Sequence, residues 1–208
     1  MFTGSTGRLV LAFTMSALLA ACAIKPLAEW RDSNFSGTID NVLIIGVSDQ
    51  PVVRRMFEDT FVKELAALGV SAKSSYQILT DDQISSTDAL DAAIREQSMD
   101  AVLVTRVIGV EEINTYTPPT YTYTPSTFAH HYRDYHSYYN HAARVSTPGY
   151  WDKYEVLKLE ANLYDSASQQ LIWSILSESF DPGSATQLIN DQITVSIKSL
   201  RNTGLIPE

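Results

Sequence analysis

The sequence predicts an α/β (α+β) domain: one mixed β-sheet of about five strands with helices packed on it. Three observations lead there. Val42–Val47 ("VLIIGV") and the run opening at Ala101 ("AVLVTRVIGVEEI") are too continuously apolar for strands with one wet face. The segments between them carry helical periodicity and are long enough for parallel crossovers. Beyond residue 155 the period falls to two, as in a strand with one solvated face.

The elements follow in order. "VLIIGV" is bounded by Asn41 and by Ser48-Asp49, which fits a strand buried on both faces. Pro51 then stands at the first position of a helix, with Asp49 as its expected cap. Val53, Phe57, Phe61, Leu65 and Leu68 recur at helical spacing, and Gly69 closes the segment. Val70–Leu79 is a serine-rich strand. Ser85-Ser86-Thr87-Asp88 offers an N-cap to a helix carrying Leu90, Ala93, Ile94 and Met99. Asp100 leads into the second apolar strand.

In Val156–Tyr164, Leu157, Leu159, Ala161 and Leu163 share one face, opposite Lys158, Glu160 and Asn162. "DSASQQ" turns the chain into Leu171–Phe180 as a hairpin, and Pro182-Gly183 ends it. A last amphipathic helix carries Leu188, Ile189, Gln192, Ile193, Ser196, Ile197 and Leu200 and stops near Gly204. The expected order is β-α-β-α-β-(long loop)-β-β-α, with no internal repeat. Trp151 and Trp173 are expected in or near the core.

The N-terminus is of another kind. After a short polar start with Arg8, Leu9–Leu19 is an apolar run too short to span a bilayer, which needs ~20 residues. It ends in Leu19-Ala20-Ala21-Cys22, and Cys22 is the chain's one cysteine. This pattern resembles the lipobox of bacterial lipoproteins. The resemblance implies a signal peptide over 1–21 and a mature chain beginning at a lipidated, acylated Cys22. Ala23 in place of Asp points, by the enterobacterial rule, to the outer membrane. Residues 22–41 are then the lipidated Cys and a short tether, and 42–208 the single domain. The nineteen tether residues Ala23–Asn41 would reach at most ~60 Å extended and about 25 Å as a coil.

The formal charge of −9 over 208 residues becomes −10 without the leader, whose one charged residue is Arg8. That excludes nucleic acid as an expected partner and electrostatic attraction to an anionic membrane. With Cys22 modified, no thiol chemistry remains. The element order from 42 to 204 resembles the periplasmic α/β domains of the TolB N-terminal type, which include penicillin-binding-protein activator lipoproteins and the curli-secretion lipoprotein. "DAVLVTRV", a Tyr/Pro-rich loop and "LYDSASQQLIWS" resemble uncharacterised proteobacterial lipoproteins. The tether is shorter than the long linker by which activator lipoproteins reach an inner-membrane synthase.

An insertion at about 114–151 interrupts the strands. Its segment Thr115–Tyr139 holds seven of the chain's eleven tyrosines: Tyr116, Tyr121, Tyr123, Tyr132, Tyr135, Tyr138 and Tyr139. "TYTYT" alternates phenol with hydroxyl, and Pro118, Pro119, Pro125 and Pro148 stiffen the excursion. Tyrosine offers large contact area, an O–H group and few rotatable bonds, so these residues form the expected contact surface. A flap whose rings pack on one another fits the same composition.

His130, His131, His136 and Asp134 suggest a metal instead. On a helix, His130 and Asp134 share a face, but His141 lies ~16 Å further along the axis, against bonds to zinc of ~2 Å. A third local ligand is lacking. No nucleophile elbow or phosphate-binding loop occurs, and Glu111-Glu112 reads as a solvated strand end. The expectation is a non-catalytic binding or accessory module of the cell envelope, without cofactor, meeting an envelope protein or glycan. The alternatives are a periplasmic metal-binding module built on the loop histidines and an unrecognised envelope hydrolase.

Overall fold

The computed structural model describes residues 24–124 and 143–207, with the backbone alone at 121–124 and 143–146. The strands are β1 (Ile24–Arg31), β2 (Asn41–Val47), β3 (Ser71–Ser74), β4 (Ala101–Thr117), β5 (Thr120–Thr124), β6 (Ala143–Thr147), β7 (Tyr150–Asp165) and β8 (Leu171–Phe180). The helices are α1 (Pro51–Ala67), the single turns α2 (Ser75–Ile78) and α3 (Asp81–Ile84), α4 (Thr87–Glu96) and α5 (Ala185–Asn202). Six strands form one mixed sheet in the order β1-β8-β7-β4-β2-β3, and β5 pairs with β6 in a separate ribbon. The α/β class is as expected; the sheet has one strand more than the expected five.

The parallel part is β3-β2-β4, with Val42–Val47 against Ala101–Arg106. Its residues alternate between two cores, which is why these runs are apolar on both faces. Ile44, Leu103, Ala161, Leu163 and Trp173 meet Phe57, Phe61 and Leu65 of α1 and Ile193 and Leu200 of α5. Leu43, Ile45 and Val102 meet Met99, with Leu90 and Ile94 of α4 packed alongside. Each fully buried Leu, Ile or Phe contributes about 1.5–3 kcal/mol relative to exposure.

The long helices end alike. Gly69 follows α1 at φ +80° and Gly204 follows α5 at φ +68°. Val70 N–H reaches back to Leu65 O at 3.1 Å and Leu205 N–H to Leu200 O at 3.0 Å. Both closures need a left-handed residue, which glycine adopts without a Cβ penalty. At the N-termini, Ser86 Oγ and Ser184 Oγ accept from Ala89 N–H and Gln187 N–H. Asp49 does not cap α1; the capping position is Gln50, which makes no side-chain cap.

Three further expectations are corrected. Ala23–Asn41 is not all tether, because Ile24–Arg31 pairs antiparallel with β8 from Ile24↔Ser179 to Arg31↔Trp173. The edge of β8 supplies the partner that the local sequence does not announce. Val70–Leu79 is a strand only to Ser74, where Ser74 Oγ bonds Asp59 and Ser75 Oγ bonds Glu58, and the chain turns into α2. Trp151 is not in the core: it is 70 % exposed, whereas Trp173 is fully buried, its indole N–H donating to Ser199 Oγ at 2.8 Å.

Candidate functional site

The insertion begins as structure. β4 pairs with β7 through sixteen positions, from Ala101↔Asp165 to Thr117↔Tyr150. Its other neighbour, β2, stops at Arg106, and β8 leaves β7 at Val156. Glu112–Thr117 and Tyr150–Glu155 therefore pair only with each other, as a two-stranded arm beyond the sheet, with Val110 and Glu111 at its root. Six residues at about 3.4 Å each give it a length of about 20 Å. A bulge at Ile108, between Val107 and Gly109, stands at its root.

Directly opposed residues share a face, so the register assigns the arm's two surfaces. One continues the face of the sheet that α1 and α5 cover and carries Val110 with Leu157, Glu112 with Glu155, Asn114 with Lys153, and Tyr116 with Trp151. The other carries Glu111 with Val156, Ile113 with Tyr154, Thr115 with Asp152, and Thr117 with Tyr150. Tyr116 and Trp151 lie with ring centroids 5.0 Å apart, and Tyr154 leans on Phe180 of β8 at 5.2 Å.

Charge on the arm is paired internally. Lys153 Nζ sits 2.8 Å from Glu112 and offsets the like-charge pair Glu112↔Glu155, while Lys158 pairs with Glu111. Each lysine is held above its ordinary value, first by its hydrogen bond to the glutamate and then by that charge. Tyr154 is also raised, chiefly by the charge of Asp152.

At its far end both strands break at one level, at Pro118-Pro119 and at Pro148-Gly149, before β5 and β6 resume pairing. A Cβ on Gly149 would overlap the Tyr116 hydroxyl and come within 2.9 Å of Pro119 Cδ, so any larger residue must displace one of them. Beyond the break the backbone is extended, with Tyr121 opposite Ser146 and Tyr123 opposite Arg144.

Large apolar side chains left exposed gather at this end of the molecule. Among the described residues, Val47, Val52, Val107, Ile108 and Phe180 lie around the arm's base. Val110, Ile113, Tyr116, Tyr150 and Trp151 lie along it, while Leu27 and Trp30 stand apart from this end on the edge strand β1. Isolated exposed apolar residues are ordinary; their concentration at one end is informative.

Of the expected site residues, Tyr116 is on the arm, half exposed, and Tyr121 and Tyr123 lie on β5. Tyr132, Tyr135, Tyr138 and Tyr139, the ligand candidates His130, His131, Asp134 and His136, and Cys22 fall outside the described residues. Among the described residues no three His, Cys, Asp or Glu side chains stand together as metal ligands. No described helix is long and apolar enough to cross a membrane.

Two polar features were not anticipated. Glu58 is fully buried: its Oε1 accepts from Gly46 N–H, Arg54 Nε and Ser75 Oγ, and its Oε2 from Tyr76 N–H. Arg54 also donates to Ser75 Oγ and Asp81 Oδ1. The carboxylate thereby ties β2, α1 and α2 together. Nearby, a cleft of about 100 Å³ lies at the carboxyl end of β2 and beside the middle of β4, lined by Gly46, Thr105, Val107, Leu159 and Gln192 among others. Gln192 is turned away from solvent, accepting from Ser177 Oγ and donating to Ser196 Oγ.

No protein-family model matches the chain, and no curated protein is similar in sequence. Among solved structures, the PelC dodecamer from Paraburkholderia phytofirmans is similar, with a TM-score of 0.46 and 12 % identity over 85 % of this chain and 96 % of that one. Lipoprotein GNA1162 from Neisseria meningitidis gives a TM-score of 0.38 and 16 % identity, covering 78 % of this chain and 98 % of its own.

Proposed function

We propose that the protein is a lipid-anchored, non-catalytic accessory module of the bacterial cell envelope. Its arm and the tyrosine-rich insertion beyond it are the contact surface. Residues 1–21 are a signal peptide, Cys22 carries the lipid, and the domain faces the periplasm from the outer membrane. The arm carries this reading. A ribbon that adds nothing to the core, spends exposed aromatic rings and ends in a glycine-locked break is built to touch something else. Glu58 does not suggest a catalytic acid, since both its oxygens accept hydrogen bonds that hold the fold.

The partner is an envelope protein or glycan met at the arm. Photo-crosslinking residues placed at Ile113, Tyr121 and Tyr132 in living cells are expected to trap one discrete partner. Solvent-quenched product at all three positions would count against the reading. Lipidation is tested separately with Cys22→Ser, expected to leave an unprocessed precursor; recovery of the same membrane-anchored mature form would refute it.

A further inference from the structure

The register of β1 places the start of the folded domain at the root of the arm. Ile24 pairs with Ser179, and Ser179 pairs with Leu157, which faces Val110. Because β1 runs antiparallel to β8 and β8 runs parallel to β4, the chain enters at the end from which the arm leaves. On the reading that Cys22 bears the lipid, the slack between anchor and sheet is two residues, at most about 7 Å. The bilayer surface must then lie close to the level of Ile24 and Ser179, while β4 continues about 24 Å past that level. An arm of that length cannot stay clear of a surface held so near its base.

Side-chain chemistry agrees with that geometry. Near the arm's far end Tyr116, Tyr150 and Trp151 occupy both faces at adjacent register levels, and all three are exposed. Tyr and Trp favour the membrane–water interface, where an apolar ring and a polar handle are both satisfied. Val47, Val52 and Phe180, around the base, are exposed on the same end. Among the described residues, Lys153 of the ribbon and Lys158 at its root are already paired with glutamates. Attraction of excess positive charge to anionic headgroups is therefore not what holds it.

We propose that the aromatic collar Tyr116–Tyr150–Trp151 sits in the interfacial layer of the bilayer that holds the lipid anchor, laying the arm at the membrane plane. The proposal rests on the lipoprotein reading and deepens it: the partner is met at the membrane surface.

The test uses the purified mature protein in vesicles of phosphatidylethanolamine and phosphatidylglycerol, with lipids brominated on their acyl chains as quenchers. Comparing the intact protein with Trp151→Phe and Trp30→Phe isolates the emission of each exposed tryptophan; Trp173 stays buried in both. Trp151 is expected to lose most of its emission to the brominated chains and Trp30 little, because Trp30 pairs with Ser174, away from the arm end. An acylated protein whose Trp151 is quenched no more than Trp30 would overturn the proposal alone. So would a Trp151 shielded from acrylamide yet out of reach of the brominated chains, which would mark another protein or a second copy on the collar. Mass spectrometry of the same sample reports Cys22. A cysteine without acyl chains would overturn the lipoprotein reading and this proposal with it.

Discussion

Ile24 stands directly opposite Ser179 and is buried, although β1 is the edge strand of the sheet. This pairing makes residues 24–31 part of the fold rather than a leash. A soluble chain beginning at Asp32 is therefore expected to be less stable than one beginning at Ala23. The loss of buried Ile24 alone accounts for about 2 kcal/mol, before the exposed edge of β8 is counted. Urea unfolding of the two chains measures the difference. Equal midpoints would return the segment to the status of a tether.

Arg54 and Glu58 form a buried pair one helical turn apart, with Nε 3.0 Å from Oε1. Arg54→Met leaves the carboxylate without its charge partner, and the expected cost is about 3–5 kcal/mol. Adding Glu58→Leu is not expected to restore stability, because Gly46 and Tyr76 N–H then lose their acceptor at about 1–3 kcal/mol each. Chemical denaturation of the single and double variants decides. Full rescue by the double variant would make the site an ordinary ion pair.

The sequence made the body of this fold legible because its signals were local and repeated. Phe57, Phe61 and Leu65 set the face of α1, Gly69 and Gly204 the two closures, and "DSASQQ" the turn between β7 and β8. What it hid depended on distant partners. β1 has no run of its own, since its outward residues are exposed on an edge strand and only its pairing to β8 defines it. Arg54 and Glu58 look like any helical i,i+4 pair until Ser75 and Gly46 close around them. The arm had a signal that reads differently once paired. "EEINTYT" and "YWDKYE" mix aromatic, charged and polar residues on both faces without a buried one, as a free-standing ribbon does. The prolines on either side of the insertion marked the level where that ribbon breaks.

Raising pH is expected to loosen the arm before the core. Lys153 is raised from its ordinary 10.5 by the Glu112 hydrogen bond, and Tyr154 from its ordinary 10.0 chiefly by Asp152. A group raised on folding contributes stability that is complete below its unfolded value and is lost as pH passes its folded value. Both losses therefore fall above about 10, where neutral Lys153 also ceases to offset Glu112 and Glu155. Emission of Trp151, followed against far-ultraviolet circular dichroism, tests the order. Arm and core changing together, at one pH, would show that the lysine does not hold the ribbon.

Gly149 gives the sharpest test of the corner. Any Cβ there meets Pro119 at 2.9 Å and overlaps the Tyr116 hydroxyl, which is in turn fixed by the ring contact with Trp151. Gly149→Ala must displace the tyrosine or part the two strands, at about 1–3 kcal/mol as for other overpacked sites. The penalty falls on the ribbon alone, so amide exchange should rise across Glu112–Thr117 while the slowest core amides of β2 and β4 stay unchanged. Tyr116→Ala in the same chain removes most of the overlap and should recover protection to the level of Tyr116→Ala by itself. A double variant no better protected than Gly149→Ala would place the constraint at Pro119 instead, and the tyrosine would then be free to turn toward whatever the arm touches.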